Sequence, residues 1–156
     1  LEHPRVRELL VVDTLREVIE WHQQGLLPLG EQLTSDPRCR FIHGDFFAMS
    51  ASRFRGFDPE NRGRRFHAIL LDVDHSPTDV LHPSHAPFYE SDGLRRLTSH
   101  LLPGGVFALW SNDPPDERLQ IALSEVFAYY ETHVVTFFNP IQHREEASTV
   151  YVALNV

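Results

Sequence analysis

Apolar residues come in short runs, separated by segments whose apolar positions recur every three or four residues. The first run, ELLVV at 8–12, reads as a buried strand. In the following TLREVIEWHQQG, Thr14 and Glu17 have capping-box spacing and Gly25 stands at the stop, which predicts a helix. RCRFIH at 38–43, after the turn residues SDP, predicts a second strand. HAILLDV at 67–73, after a polar loop rich in Arg, Gly, Asn and Pro, predicts a third. A helix over Gly93 to Leu101 is expected next, with Leu94, Leu97 and Leu101 on one face and LPGG at its end. VFALW at 106–110 reads as a fourth strand. DPPDERLQIALSEVFAYY then puts prolines at a helix start and Leu119, Ala122, Leu123, Val126, Phe127 and Tyr130 at helical spacing. HVVTFF and STVYVAL close the chain as two strands with no helix between them, hence antiparallel. The alternation predicts an α/β fold: a mainly parallel sheet from the first four strands and an antiparallel pair at one edge. No repeat, low-complexity tract or interdomain linker interrupts it, so residues 1–156 are expected to form a single domain.

Composition narrows the function classes. At 156 residues, 42% hydrophobic and 23% charged, the chain has the make-up of a globular domain with a core of its own. A net charge of −8 argues against a nucleic-acid surface, because phosphate binding needs clustered positive charge. Cationic or neutral small molecules suit it better. All 14 basic residues are arginine, which removes any lysine nucleophile or Schiff base. Cys39 stands alone, so no internal disulfide forms. The longest aliphatic runs, Leu9 to Val12 and Ala68 to Leu71, are far too short to cross a bilayer, and no leader-like segment opens the chain. A cytoplasmic protein with no membrane partner is expected.

Candidate chemistry sits at the ends of the strands. In parallel α/β sheets ligands bind beyond the carboxyl ends, where loops converge. Asp13 closes the first strand, Asp45 follows the second in HGDFF, and Asp72 and Asp74 close the third in ILLDVDHSP. A carboxylate there has two acceptor oxygens for the two ribose hydroxyls of a nucleoside. Asp72 and Asp74, two apart, share a side if the strand continues, and like charges at one site raise one pKa towards that of a useful base. His75 titrates near neutrality without help. Plainer roles exist for several of these residues. Asp13 and Asp45 suit helix caps or turns, Trp21 and Trp110 core or rim packing, and Arg62, Arg64 and Arg65 a solvated loop.

Four segments in order resemble the spermidine synthase family, aminopropyltransferases on the class I S-adenosylmethionine methyltransferase fold. VVDTLREVIEWHQQGLLP is similar to that family's stretch from the ribose-binding acid through VIE to a downstream LP, and DPRCRFIHGDFF to its adenine-binding DPRV…GDA. HAILLDVDHSP resembles DVIIxDSSDP, and FYESDGLRRLTSHLLPGG resembles FY…L…LxPGG. The resemblance implies a Rossmann-like fold that binds decarboxylated S-adenosylmethionine, or S-adenosylmethionine itself, as substrate, with a small amine as acceptor and no metal. By position, Asp13 would bind the ribose hydroxyls, Asp45 the adenine amino group beside the backbone amide of Phe46, and Asp72 the amine. The family's second aspartate lies three residues after the first. That position is His75 here and the nearest acid is Asp74, so Asp74 or His75 would take the proton.

The family also opens this domain with a strand and a glycine-rich loop, and no G-x-G-x-x-G occurs here. The chain is therefore expected to be the carboxyl-terminal part of a longer domain, its first strand missing. The gap would stay an unpaired edge or be filled from a second copy in a homodimer. Three other functions remain open: a methyltransferase using the same pocket, a non-catalytic domain that keeps the fold, and a metal-dependent hydrolase built on Asp72, Asp74, His75, His82 and His85.

Overall fold

The computed structural model describes residues 1–73 and 76–156. Its first sheet contains β1 (Leu9–Asp13) and β2 (Cys39–His43), paired in parallel from Leu9 opposite Cys39 to Asp13 opposite His43. A parallel pair needs a crossover. Here it is made of α1 (Arg16–Gln23) and α2 (Gly30–Ser35), and β2 leads into α3 (Phe46–Ala51). The Thr14 capping box does not form. Leu15 occupies the cap position without a side-chain bond, and Asp13 Oδ1 accepts from the Leu15 amide at 2.7 Å. A carboxylate two residues upstream makes a local turn that displaces the hydroxyl cap. Gly25, just past α1, takes φ 69°, as its place at the helix stop predicts.

These elements belong to a compact unit over residues 1–64, and residues 65–156 form a second. In the first unit Asp58, only 1% exposed, accepts from Arg40 Nη2 at 2.8 Å and Arg64 Nη1 at 3.0 Å. Both arginines also hold Glu8, at 3.0 and 2.6 Å, and Arg40 reaches Glu60 at 2.8 Å. Arg64 is therefore a member of a partly buried ion network and not the solvated loop residue its neighbours in sequence suggest. Burial pushes the Asp58 carboxyl up, but the hydrogen bonds from Arg64 and Arg40 outweigh it and leave the group below its ordinary range. Hydrogen bonds from Arg64 and Arg40 hold Glu8 at about 2.

The second unit runs β3 (Phe66–Asp72), a 3-10 helix (Pro83–Tyr89), α4 (Ser91–Thr98), β4 (Leu101–Ser111), α5 (Glu117–Val126), β5 (Tyr129–Asn139) and β6 (Arg144–Leu154). Its sheet has the order β3-β4-β6-β5. β3 and β4 are parallel, and β6 is antiparallel to both β4 and β5, so the parallel part and the antiparallel terminal pair match the expected fold class. Two helix boundaries differ from expectation. Leu101 leaves the helix and opens β4 opposite Phe66, with Leu102 to Gly105 looped out before Val106 pairs with Ala68. Gly104 makes that loop possible at φ 74°. Tyr130 belongs to β5, since α5 ends at Val126.

One face of this sheet is a core. Ile69, Leu71, Phe107, Leu109, Tyr151 and Ala153 are buried, as are Leu94 and Leu97 of α4 and Leu119, Ala122 and Leu123 of α5. Phe107 meets Phe88 edge-on at 6.2 Å and stacks with Phe127 at 6.1 Å. The opposite face is more open, and Leu70 is 73% exposed. The run AILL therefore buries alternate residues, Ile69 and Leu71, as a strand with one face on a core does. Helix α4 approaches the 3-10 helix so closely at Gly93 that a Cβ there would lie 2.2 Å from the Pro87 carbonyl oxygen and 2.5 Å from Phe88 Cα. These are backbone atoms with little room to move. Gly93→Ala is expected to destabilise the chain by about 2 kcal/mol, read as a fall in melting temperature of roughly 6 °C.

Candidate functional site

The carboxyl end of the first sheet gathers three of the predicted residues. Asp13 and His43 are register partners, and the Gly44 amide donates to the Asp13 carbonyl at 2.9 Å, which fixes the turn leading to Asp45. His43 ties down the neighbouring loop. Its Nε2 lies 3.1 Å from the Thr14 carbonyl oxygen and its Nδ1 3.4 Å from Arg16 Nη2. A carbonyl only accepts and a guanidinium only donates, so these partners assign the proton to Nε2. Asp45 caps α3, its Oδ1 accepting from the Phe47 amide at 2.9 Å and the Ala48 amide at 3.3 Å. The cap role weighed for Asp45 from sequence is thus real. It does not exhaust the side chain, because each carboxylate oxygen has two lone pairs and only Oδ1 serves the cap. Asp13 also uses Oδ1 locally, in the turn to Leu15. Phe46 opens α3 with its ring stacked on Phe57 at 5.1 Å.

In the second unit, Asp72 is the last residue of β3, exposed, on the face opposite the buried Leu71. Its register partner on β4 is Trp110. Asp74 and His75 lie outside the described residues. The chain on the far side is anchored: the Asp79 amide donates to Ser76 Oγ at 3.1 Å, Ser76 Oγ lies 3.1 Å from Thr78 Oγ1, and Thr78 Oγ1 donates to Asp113 Oδ2 at 3.2 Å. Asp113 is itself held by β4 and β6, through its amide to Ser111 Oγ and its carbonyl oxygen from Thr149 Oγ1. The exit of β3 is thereby tied to the exit of β4. Asp113 and Thr78 were not expected at the site; the signal in the sequence was SNDPP, which sets an acid three residues after VFALW, where HGDFF sets one two residues after β2.

Other chemistry is weaker. Burial pushes the Cys39 thiol up, away from the thiolate a nucleophile needs. His82 accepts from the Ser84 amide at 3.3 Å as the cap of the 3-10 helix, with its ring 5.8 Å from that of His85. Among the described residues no three His, Cys, Asp or Glu side chains converge as a metal site would require, and none of the helices is long and apolar enough to cross a membrane. What the arrangement offers is carboxylates at strand ends, suited to hydroxyl, amino and ammonium groups.

No protein-family model matches the chain. The chain is 29% identical over 146 residues to polyamine aminopropyltransferase 2 of Pseudomonas aeruginosa, a match covering 87% of this chain and 37% of that protein. In three dimensions it is similar to a spermidine synthase solved with the transition-state analogue AdoDATO, with a TM-score of 0.67 at 18% identity over 99% of this chain and 48% of that one. It is also similar to human methyltransferase-like protein 13 in complex with SAH, with a TM-score of 0.58 at 19% identity over 96% and 72% of the two chains. The fold is therefore the Rossmann-like class I methyltransferase fold, shared with that spermidine synthase and that methyltransferase-like protein. The chain spans less than half the length of both the aminopropyltransferase and the spermidine synthase.

Proposed function

We propose that residues 1–156 carry nucleoside- and amine-binding parts of an aminopropyltransferase, which moves an aminopropyl group from decarboxylated S-adenosylmethionine to a diamine. The observation that carries the reading is Asp72: an exposed carboxylate ending a strand whose preceding residue is buried, in a chain similar over most of its length to a polyamine aminopropyltransferase. Asp13 would take the ribose hydroxyls, and Asp45 with the Phe46 amide the adenine. Asp72 would hold the diamine in line with the reacting carbon.

The chemistry is a direct displacement. A diamine near neutral pH is almost fully protonated, so one nitrogen must first lose a proton to Asp74 or His75. Its lone pair then forms a bond to the methylene carbon attached to the sulfonium. The carbon–sulfur bond breaks, sulfur keeps the electron pair, and a neutral thioether leaves. In this reading residues 1–156 correspond to a part of such an enzyme, since the match covers 37% of the aminopropyltransferase.

Methyl transfer is the second reading, supported by the likeness to a methyltransferase-like protein with SAH bound. The two separate in one assay. The full-length protein, given decarboxylated S-adenosylmethionine and 1,4-diaminobutane, should yield the triamine and methylthioadenosine in equal amounts by mass spectrometry. A methylated product and S-adenosylhomocysteine formed from S-adenosylmethionine, with no triamine, would select methyl transfer. No turnover of either donor, with both still bound, would select a non-catalytic domain.

A further inference from the structure

We propose that Trp110 forms the aromatic wall of the amine site beside Asp72 and selects alkylammonium groups there; this rests on the amine-binding reading of Asp72. Directly paired residues of adjacent parallel strands point to the same face of the sheet, about 4.8 Å apart. Asp72 and Trp110 are such a pair. Both stand at strand exits, Asp72 as the last residue of β3 and Trp110 one residue before the end of β4. The same row continues through Val150 on β6 to His133 on β5, and the row behind it is Leu70, Ala108, Val152 and Glu131. Neither row contains an arginine.

The indole is oriented. Its Nε1–H donates to Asn112 Oδ1 at 3.3 Å, two residues further along the chain. An indole has only that donor. With it engaged by Asn112, what the ring can offer towards Asp72 is its π-face and apolar edge. Trp110 is half-buried and Asp72 exposed, so the pair opens to solvent on the carboxylate side.

That combination suits one chemical class. An ammonium placed between the carboxylate and the ring gains an ion pair from one and a cation–π contact from the other. The methylenes of an alkyl diamine then lie along the indole and Val150, where a hydrated inorganic cation gains nothing. A neutral diol of the same length gains neither charge contact. Trp110 is accordingly a specificity residue, acting on binding.

The test titrates 1,4-diaminobutane into the full-length protein and its Trp110→Phe variant and follows the difference in tryptophan emission between the two, which isolates Trp110, with 1,4-butanediol as the neutral control. The diamine should change the emission saturably and the diol should not. In calorimetry Trp110→Leu should weaken diamine binding about 2- to 30-fold, Trp110→Phe should recover most of the loss, and methylthioadenosine should bind all variants alike. If Asp72→Asn weakens diamine binding and Trp110→Leu does not, the role of Trp110 is overturned and the amine-binding reading stands. If Asp72→Asn leaves diamine affinity unchanged, that reading falls and this one with it. A loss for the diol equal to that for the diamine would reduce Trp110 to packing alone and overturn its ammonium role.

Discussion

Asp58→Ala should lower the unfolding free energy of the chain by about 4 kcal/mol, read by denaturant titration, while Glu60→Ala in the same network should cost no more than about 0.5 kcal/mol. The two acids bind the same Arg40 guanidinium at the same 2.8 Å. Burial separates them, the Asp58 side chain being 1% exposed and that of Glu60 77%. Removing the buried carboxylate leaves Arg40 and Arg64 facing each other across Glu8, and it strips the Glu60 amide of its bond to Asp58 Oδ1. Water already competes for the exposed carboxylate, so removing that one changes little. Equal losses for the two variants would mean that distance, and not burial, sets the strength of this network.

The same network should make the fold acid-labile. Hydrogen bonds from Arg64 and Arg40 hold Glu8 at about 2 in the folded chain, against 4.5 for an unperturbed glutamate. The folded group gives up its proton more readily than the unfolded one, so its contribution is complete above about pH 4.5. It drains away as pH falls from there towards 2. Asp58, also lowered, adds in the same direction. Glu8→Gln should therefore flatten the acid limb of a stability–pH curve and leave the neutral region parallel to wild type.

The strands, and their directions within each of the two sheets, were readable from the sequence because alternation of apolar runs with amphipathic segments reports burial, and burial is local to each element. Asp13, Asp45 and Asp72 fell at strand ends for the same reason: a charged side chain marks where a buried run leaves the core. Pairing over distance left no such mark. Nothing near Arg64 announces that Glu8, 56 residues earlier, completes its ion pairs. Leu101 carries helical spacing from Leu94 and Leu97, yet it joins β4, because the Gly104 loop lets the strand restart before Val106. Helices α2 and α3, at six residues each, are too short to display a period. Trp110 looked like packing until the register set it opposite Asp72.

Asp72→Asn and Asp13→Asn should split the two halves of binding in the full-length protein. Asparagine keeps the shape of the side chain and removes its charge. An ammonium held by a carboxylate gains a charge-assisted hydrogen bond, so Asp72→Asn is expected to weaken 1,4-diaminobutane about 100-fold, with methylthioadenosine affinity unchanged. Asp13 faces a different demand. A ribose diol is neutral and needs two acceptors, and an amide supplies one oxygen and a nitrogen that only donates. In this chain the Leu15 amide already draws on Asp13 Oδ1. If the single amide oxygen of Asp13→Asn stays with that turn, its NH2 faces the ribose and can only donate, so the two hydroxyl protons lose the acceptors that the carboxylate supplied. Asp13→Asn should therefore weaken methylthioadenosine about 10-fold or more and leave the diamine alone. The salt response adds an independent reading. Diamine binding should weaken as ionic strength rises, since it joins opposite charges, and nucleoside binding should hardly move. Losses that fail to separate, with Asp72→Asn and Asp13→Asn each weakening both ligands alike, would assign these carboxylates to holding the fold and not to the ligands.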